Sequence, residues 1–211
     1  MMDKFSAVEQ MAGYMYQVRY CLLLLLQEDD DREMALEQLD DVEFANDGTA
    51  LELLQFKHHV KRQGSLSDRS TDLWKTIRVW STRILRNQID IDRVRLTLIT
   101  TSLTDEDSIT GAIKYDSKPL DTVVQLLTDI AKAGGNETNK AAYETYLTLP
   151  VEKRLKLVRS INIVDGAPLV QELSESIERE LRNTALPDQR GKFRHQLEGW
   201  WPLKASTSRN G

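Results

Sequence analysis

A single cysteine in 211 residues excludes an internal disulfide. That residue, Cys21, opens the apolar run Cys21 to Leu26 and reads as a small buried hydrophobe. A free thiol of this kind fits a reducing compartment, so a cytoplasmic location is expected. The run falls far short of the roughly 20 apolar residues that a membrane span needs. Asp3 and Glu9 lie upstream of it and no small-residue cleavage site follows, so a secretory leader is not expected. Glycine (10) and proline (5) are scarce, so long helices are expected rather than a loop-dominated fold. His195 has no cysteine or histidine partner at zinc spacing, and no glycine-rich phosphate loop is present. Internal repeats and low-complexity segments are missing too.

What remains is ordinary globular material, 40% hydrophobic and 29% charged, with a net charge of -5. The sum conceals an asymmetry. Residues 1–56 carry 3 basic and 13 acidic side chains, whereas residues 57–95 carry 10 basic and 4 acidic ones. Carboxylates that hold a cation, next to cations that hold phosphates, are what a metal-dependent nuclease requires. Solvated faces of opposite sign would produce the same count.

Hydrophobic spacing predicts a helix over Phe5 to Gln27, with Met11, Met15, Val18, Leu22, Leu25 and Leu26 on its stripe. Ser6 and Glu9 are placed to form its capping box. Ala35 to Phe44 and Ala50 to Val60 read as two strands joined by the turn signal Asn46-Asp47-Gly48-Thr49. Asp72 to Asn87 reads as a helix with Leu73, Ile77, Trp80 and Ile84 inward, and Val94 to Thr100 as an alternating strand. From Ser102 onward the pattern is mostly helical. Helices are expected at Asp121 to Lys132, Lys140 to Leu147, Val151 to Arg159, Pro168 to Arg182 and Gln189 to Trp201, with one short strand at Ile161 to Val164.

Side chains alternate along a strand, so the hairpin can be read face by face. Val42 and Phe44 share a face of the first strand, and Leu54 and Phe56 a face of the second. Matching these apolar faces puts Asp41 opposite Gln55, with Lys57 one step along. Leu39, Leu51 and Leu53 point the same way, so that face is half-buried, and the first helix is the expected cover. An acid, an amide and a lysine on such a face suit phosphodiester hydrolysis. Asp41 and Gln55 supply hard oxygen ligands for Mg²⁺, with Mn²⁺ as an alternative ion. Lys57 is placed to orient the attacking water and to stabilise charge at the phosphorus. A structural Asp–Lys pair on a strand surface is the competing reading. His58 and His59 face opposite sides of a strand and are better suited to phosphate contacts than to one metal ion. Lys61, Arg62, Arg69, Lys75, Arg78, Arg83 and Arg86 are candidates to track a DNA backbone. Trp74 and Trp80 read as core, and Trp200-Trp201 as a packing anchor.

The order helix, hairpin, helix, strand resembles the restriction-endonuclease-like core of the PD-(D/E)XK superfamily. Leu54-Gln55-Phe56-Lys57 looks like its third motif in a Q-x-K variant, and Asp41 looks like its metal-binding aspartate. More narrowly, Ala12 to Gln17, Leu36 to Asp41 and Leu53 to His58 resemble the double-stranded-DNA endonuclease effector domains of bacterial anti-phage proteins. The Leu197 to Trp201 ending looks like the close of such a domain. The resemblance implies an α/β fold and Mg²⁺-dependent cleavage of double-stranded DNA, with Gln17 or Glu9 as the helix-borne member of the site. It implies self-association or partner subunits of a defence complex, and no membrane. Gln55 stands where many members carry Glu or Asp, so a non-catalytic interaction module on the same fold is the alternative. The expected organisation is a nuclease core at 1–105 and a helical extension at 106–204. Residues 205–211 read as a flexible tail from which a C-terminal sensor domain would follow.

Overall fold

The long helix expected at the start of the chain is present as α1 (Lys4–Gln27). It begins early enough that Ser6 lies within its first turn and is not its cap. The computed structural model describes residues 4–27, 33–37, 41–46, 49–58 and 65–207. Two compact units are formed, one from 1–49 together with 168–211, the other from 50–167.

In the first unit, α1 turns inward along Tyr16, Gln17, Val18, Tyr20, Cys21, Leu22 and Leu23, all buried. Met11 and Met15, expected on the buried stripe, are exposed (64% and 47%), and the first buried member of that stripe is Val18, about two turns after Met11. The single strand expected over 35–44 is two: β1 (Glu33–Glu37) and β2 (Asp41–Asn46) pair antiparallel, with Glu37 opposite Asp41. Residues 38–40, between them, lie outside the described set. The unit is completed by α7 (Val170–Glu180) and α8 (Arg190–Thr207). The last helix continues through residues 205–207, where a flexible tail was expected. Arg19 ties these helices together. Its guanidinium donates to Glu198 Oε1 (2.8 and 3.0 Å), to the Val170 carbonyl (3.1 Å) and to Ser174 Oγ (2.9 Å). Arg194 bonds the other oxygen of Glu198 (2.8 Å) and Glu178 (2.9 Å). The buried Trp201 indole N–H donates to the Val18 carbonyl (2.9 Å), so Trp201 is the anchor and the half-exposed Trp200 is not.

The second unit is built on β3 (Thr49–Lys57), β4 (Arg95–Thr100) and β5 (Ile161–Val164), which run parallel with β4 in the middle. Parallel neighbours need crossovers, which the helices supply. Between β3 and β4 lies α2 (Thr71–Leu85), capped by Ser70, whose side chain accepts the Leu73 amide. Between β4 and β5 lie α3 (Ile109–Tyr115), α4 (Leu120–Ala133), α5 (Lys140–Thr148) and α6 (Val151–Ser160). The sheet content is thus mixed, antiparallel in one unit and parallel in the other. The core joins Leu53, Leu96, Leu98, Ile161 and Ile163 of the strands to Leu73, Trp74, Ile77, Trp80 and Ile84 of α2 and to the helices that follow. Trp74 stands edge-on to Tyr143 (4.5 Å) and Tyr146 (5.8 Å), and its N–H donates to the Asp68 carbonyl. Only Arg95 of β4 is exposed. The alternation read from its sequence is therefore not a wet face against a dry one, because both faces of this central strand are covered.

Candidate functional site

Gln55 and Lys57 occupy one face of β3, two residues apart, as the strand period requires. Gln55 is 1% exposed and Lys57 half-buried. The register with β4 places Gln55 beside Leu98 and Lys57 beside Thr100. Leu53, on the same face, belongs to the cluster built on α2. The helices that back this face are therefore those of the second unit, α2 first among them, where the sequence pattern pointed to α1. Leu54 and Phe56, on the opposite face, are also buried.

Of the other expected members, Gln17 is 2% exposed on α1. The side chains of Glu9 and Asp41 lie outside the described residues, and with them the expected Asp41–Gln55 pair. Lys61 and Arg62 lie outside them as well. Among the described residues, no three His, Cys, Asp or Glu side chains come together as a metal cluster. Gln55 offers an amide oxygen of the hard type that Mg²⁺ takes, and Asp41 would have to supply the charge.

The basic candidates divide. Lys75, Arg78 and Arg86 are exposed and fall within about 80° of one another around α2, opposite its buried stripe. Arg83 is half-buried at the border of that face. Arg69 plays a structural part. Its guanidinium donates to the Gly134 carbonyl (2.5 Å) at the end of α4, where Gly134 adopts φ 62°. Trp74 and Trp80 are fully buried core residues and present no surface for stacking bases.

The carboxyl end of β4, beside Lys57, is not among the sites expected from the sequence. Thr100, Thr101 and Ser102 are buried there. The Thr101 N–H donates to the Lys57 carbonyl (3.3 Å). The Asp165 carboxylate, just past β5, accepts from Lys114 Nζ (2.6 Å) and the Thr104 amide (2.7 Å). Burial alone would push this carboxyl up, but the bonds from Lys114 and Thr104 outweigh it and hold it below the usual carboxylate range. The bond to Asp165 in turn raises Lys114. The signal for this end of β4 was in the sequence, as the three consecutive hydroxyl residues Thr100, Thr101 and Ser102. In the first unit, burial drives the Cys21 thiol far above its ordinary range and pushes the Tyr20 hydroxyl up to about 12.

No helix among the described residues is long and apolar enough to cross a membrane. No protein-family model and no curated protein matches the chain. Solved structures do. The chain is similar to the Cap4 SAVED/CARF-domain containing receptor of Moraxella osloensis, at 19% identity and a TM-score of 0.52, over 92% of this chain and 43% of that one. The Acinetobacter baumannii Cap4 receptor matches at 13% identity and a TM-score of 0.53, again over 92% and 43%. The same receptor with the cyclic trinucleotide 3'3'3'-cAAA gives 13% and 0.53, over 92% and 41%. At these identities the likeness is one of fold, and the chain spans less than half the length of the structures it matches.

Proposed function

We propose that this chain is a metal-dependent double-stranded-DNA endonuclease of the PD-(D/E)XK kind, the effector part of an anti-phage defence protein. The observation that carries the reading is the placement of Gln55 and Lys57 on one face of a covered parallel strand, at its carboxyl end. Open α/β sheets bind their ligands beyond that end. The exposed cations of α2 supply a track for a phosphate backbone. The fold shared with Cap4 receptors, over less than half of their length, fits one part of a protein whose other part senses a signal.

In this reading Asp41 and Gln55 hold the cation, and Gln17 or Glu9 completes the site. Mg²⁺ held there supplies Lewis-acid polarisation of the scissile phosphate. Lys57 presents its ammonium to the attacking water and to the charge that develops at phosphorus. Losing such a preorganised cation costs about 10²–10³ in rate. Lys57→Ala should therefore stay folded and lose plasmid cleavage in Mg²⁺ by about that factor, which excess Mg²⁺ does not restore. Cleavage by Lys57→Ala at the wild-type rate would remove the catalytic assignment.

One observation favours a second reading. Gln55 is neutral, so it contributes no charge to metal binding. An interaction module of a defence complex would keep the fold without the chemistry, and it would bind its partners while leaving plasmid uncut.

A further inference from the structure

β3 and β4 end together, with Lys57 opposite Thr100. Beyond that pair the ladder continues through the Thr101 N–H to the Lys57 carbonyl. Two residues later Leu103 bridges Ser65, and its carbonyl accepts the Leu66 N–H (2.8 Å). Lys57 on one side and Ser65 and Leu66 on the other are thus pinned to the same four residues, Thr100 to Leu103. Further bonds hold Leu66 and Asp68. Thr110 Oγ1 donates to the Leu66 carbonyl (2.8 Å), and the Asp68 carboxylate accepts the Ile109 amide (2.6 Å).

Thr100 is what fixes this segment. It is fully buried, and its hydroxyl oxygen accepts the Ser102 N–H (3.2 Å). Its carbonyl accepts the Ala167 N–H (3.0 Å), while the Ser102 carbonyl accepts the Gly166 N–H (2.9 Å). Gly166 adopts φ 59°, in the left-handed region that suits glycine, and so allows the chain beyond β5 to turn back onto this edge. A side-chain acceptor thereby sets the direction in which the backbone leaves β4, and Thr101 transmits that direction to Lys57. Lysine carries its charge on a flexible four-carbon stem. The ammonium can be placed only as well as the backbone beneath it is held.

We infer that Thr100 is the positioning residue for Lys57, acting through the Thr100 to Leu103 turn and touching neither DNA nor metal itself. The inference rests on the nuclease reading above. A misplacement of about 1 Å at a reacting group costs on the order of 10²-fold in rate. The test uses the full chain in four forms: wild type, Lys57→Ala, Thr100→Val and Thr100→Ser. Valine keeps the shape and removes the acceptor, whereas serine keeps the acceptor. Thr100→Val should lower kcat for plasmid cleavage by about 10- to 100-fold with KM for DNA within about twofold. Thr100→Ser should stay within about threefold of wild type. Amide hydrogen exchange, which needs no activity, should quicken in Thr100→Val at residues 101–103 and at Lys57 and His58, and nowhere in β3 before Lys57. An inactive Lys57→Ala beside a fully active Thr100→Val overturns this inference and leaves the nuclease reading standing. Equal losses in the valine and serine forms overturn it too, because the hydroxyl would then be irrelevant. A wild-type chain that cuts no plasmid, or a Lys57→Ala chain that cuts as fast as wild type, overturns the nuclease reading and this inference with it.

Discussion

The two units are held together by different physics. In the first, three helices meet through a chain of half-buried charges, Arg19 to Glu198 to Arg194 to Glu178, with side-chain exposures of 12–36%. In the second, a continuous apolar cluster with a T-shaped aromatic group at its centre supplies the cohesion. Non-directional burial tolerates neighbouring rearrangement, whereas a guanidinium shared among a carboxylate, a carbonyl and a hydroxyl permits one arrangement only. The first unit buries apolar side chains as well, Val18, Leu22, Leu173, Ile177 and Trp201 among them, so the contrast lies in the charge chain that it adds.

The largest effect that would break this contrast is in the second unit. Trp74→Ala should cost about 3–5 kcal/mol, since the indole is fully buried and its loss leaves a void between Tyr143 and Tyr146. Urea unfolding measures it, and a cost below about 1 kcal/mol would mean that the cluster is not what holds the unit. Next comes Glu198→Ala, expected to cost about 3 kcal/mol because it strips a shared carboxylate from two guanidiniums at once. Cys21, fully buried, reports it: thiol labelling of the native protein should speed up by about 100-fold, the same free energy at 1.4 kcal/mol per tenfold. Unchanged labelling would show that the charge chain is surface decoration.

The smallest effect is at Asp165 in the second unit, a pair whose lysine is partly exposed, and it sharpens the contrast through pH. Asp165→Asn should cost about 1 kcal/mol at neutral pH. The folded-state value of Asp165 is depressed, so its contribution is complete above the unfolded carboxylate pKa of about 3.9 and is lost as pH falls through the folded value. Lys114 is raised, so its contribution holds below about 10.4 and is lost as pH rises through the folded value. Stability of the Asn variant, followed by thermal unfolding, should converge on wild type at the acid extreme. A difference that persists unchanged there would assign the effect to packing.

How much was legible follows from the same physics. α2 could be read to within two residues, because a stripe at helical spacing is a local feature. So could β5, and so could the shared face of Gln55 and Lys57, which needs only the two-residue period. The division of the expected strand into β1 and β2 could not, since the sequence Gln38-Leu39-Asp40 carries no glycine, proline or asparagine. The burial of β4 was hidden for a different reason. Thr97 reads as polar, yet its hydroxyl bonds the Glu52 carboxylate and accepts from Asn162, so neighbours distant in sequence make it a core residue. Arg69 looked like one more cation for DNA until the turn at Gly134 supplied its partner, 65 residues away. What each strand presents is written in its own residues, and what answers it is written elsewhere in the chain.

The first unit is made from two stretches of chain with the whole of the second inserted between them. During synthesis α1 leaves the ribosome long before its partners exist, because Arg19 must wait 179 residues for Glu198. The inserted unit has all its strands and helices in one uninterrupted stretch, and it is finished first. Until α7 and α8 follow, the leucine-rich half of α1 lacks the two helices that pack on it. That is the kind of segment that chaperones and premature association both seize. A chain stopped before residue 168 would therefore hold all the parallel strands of the second unit, while Arg19 would still lack Glu198, Val170 and Ser174.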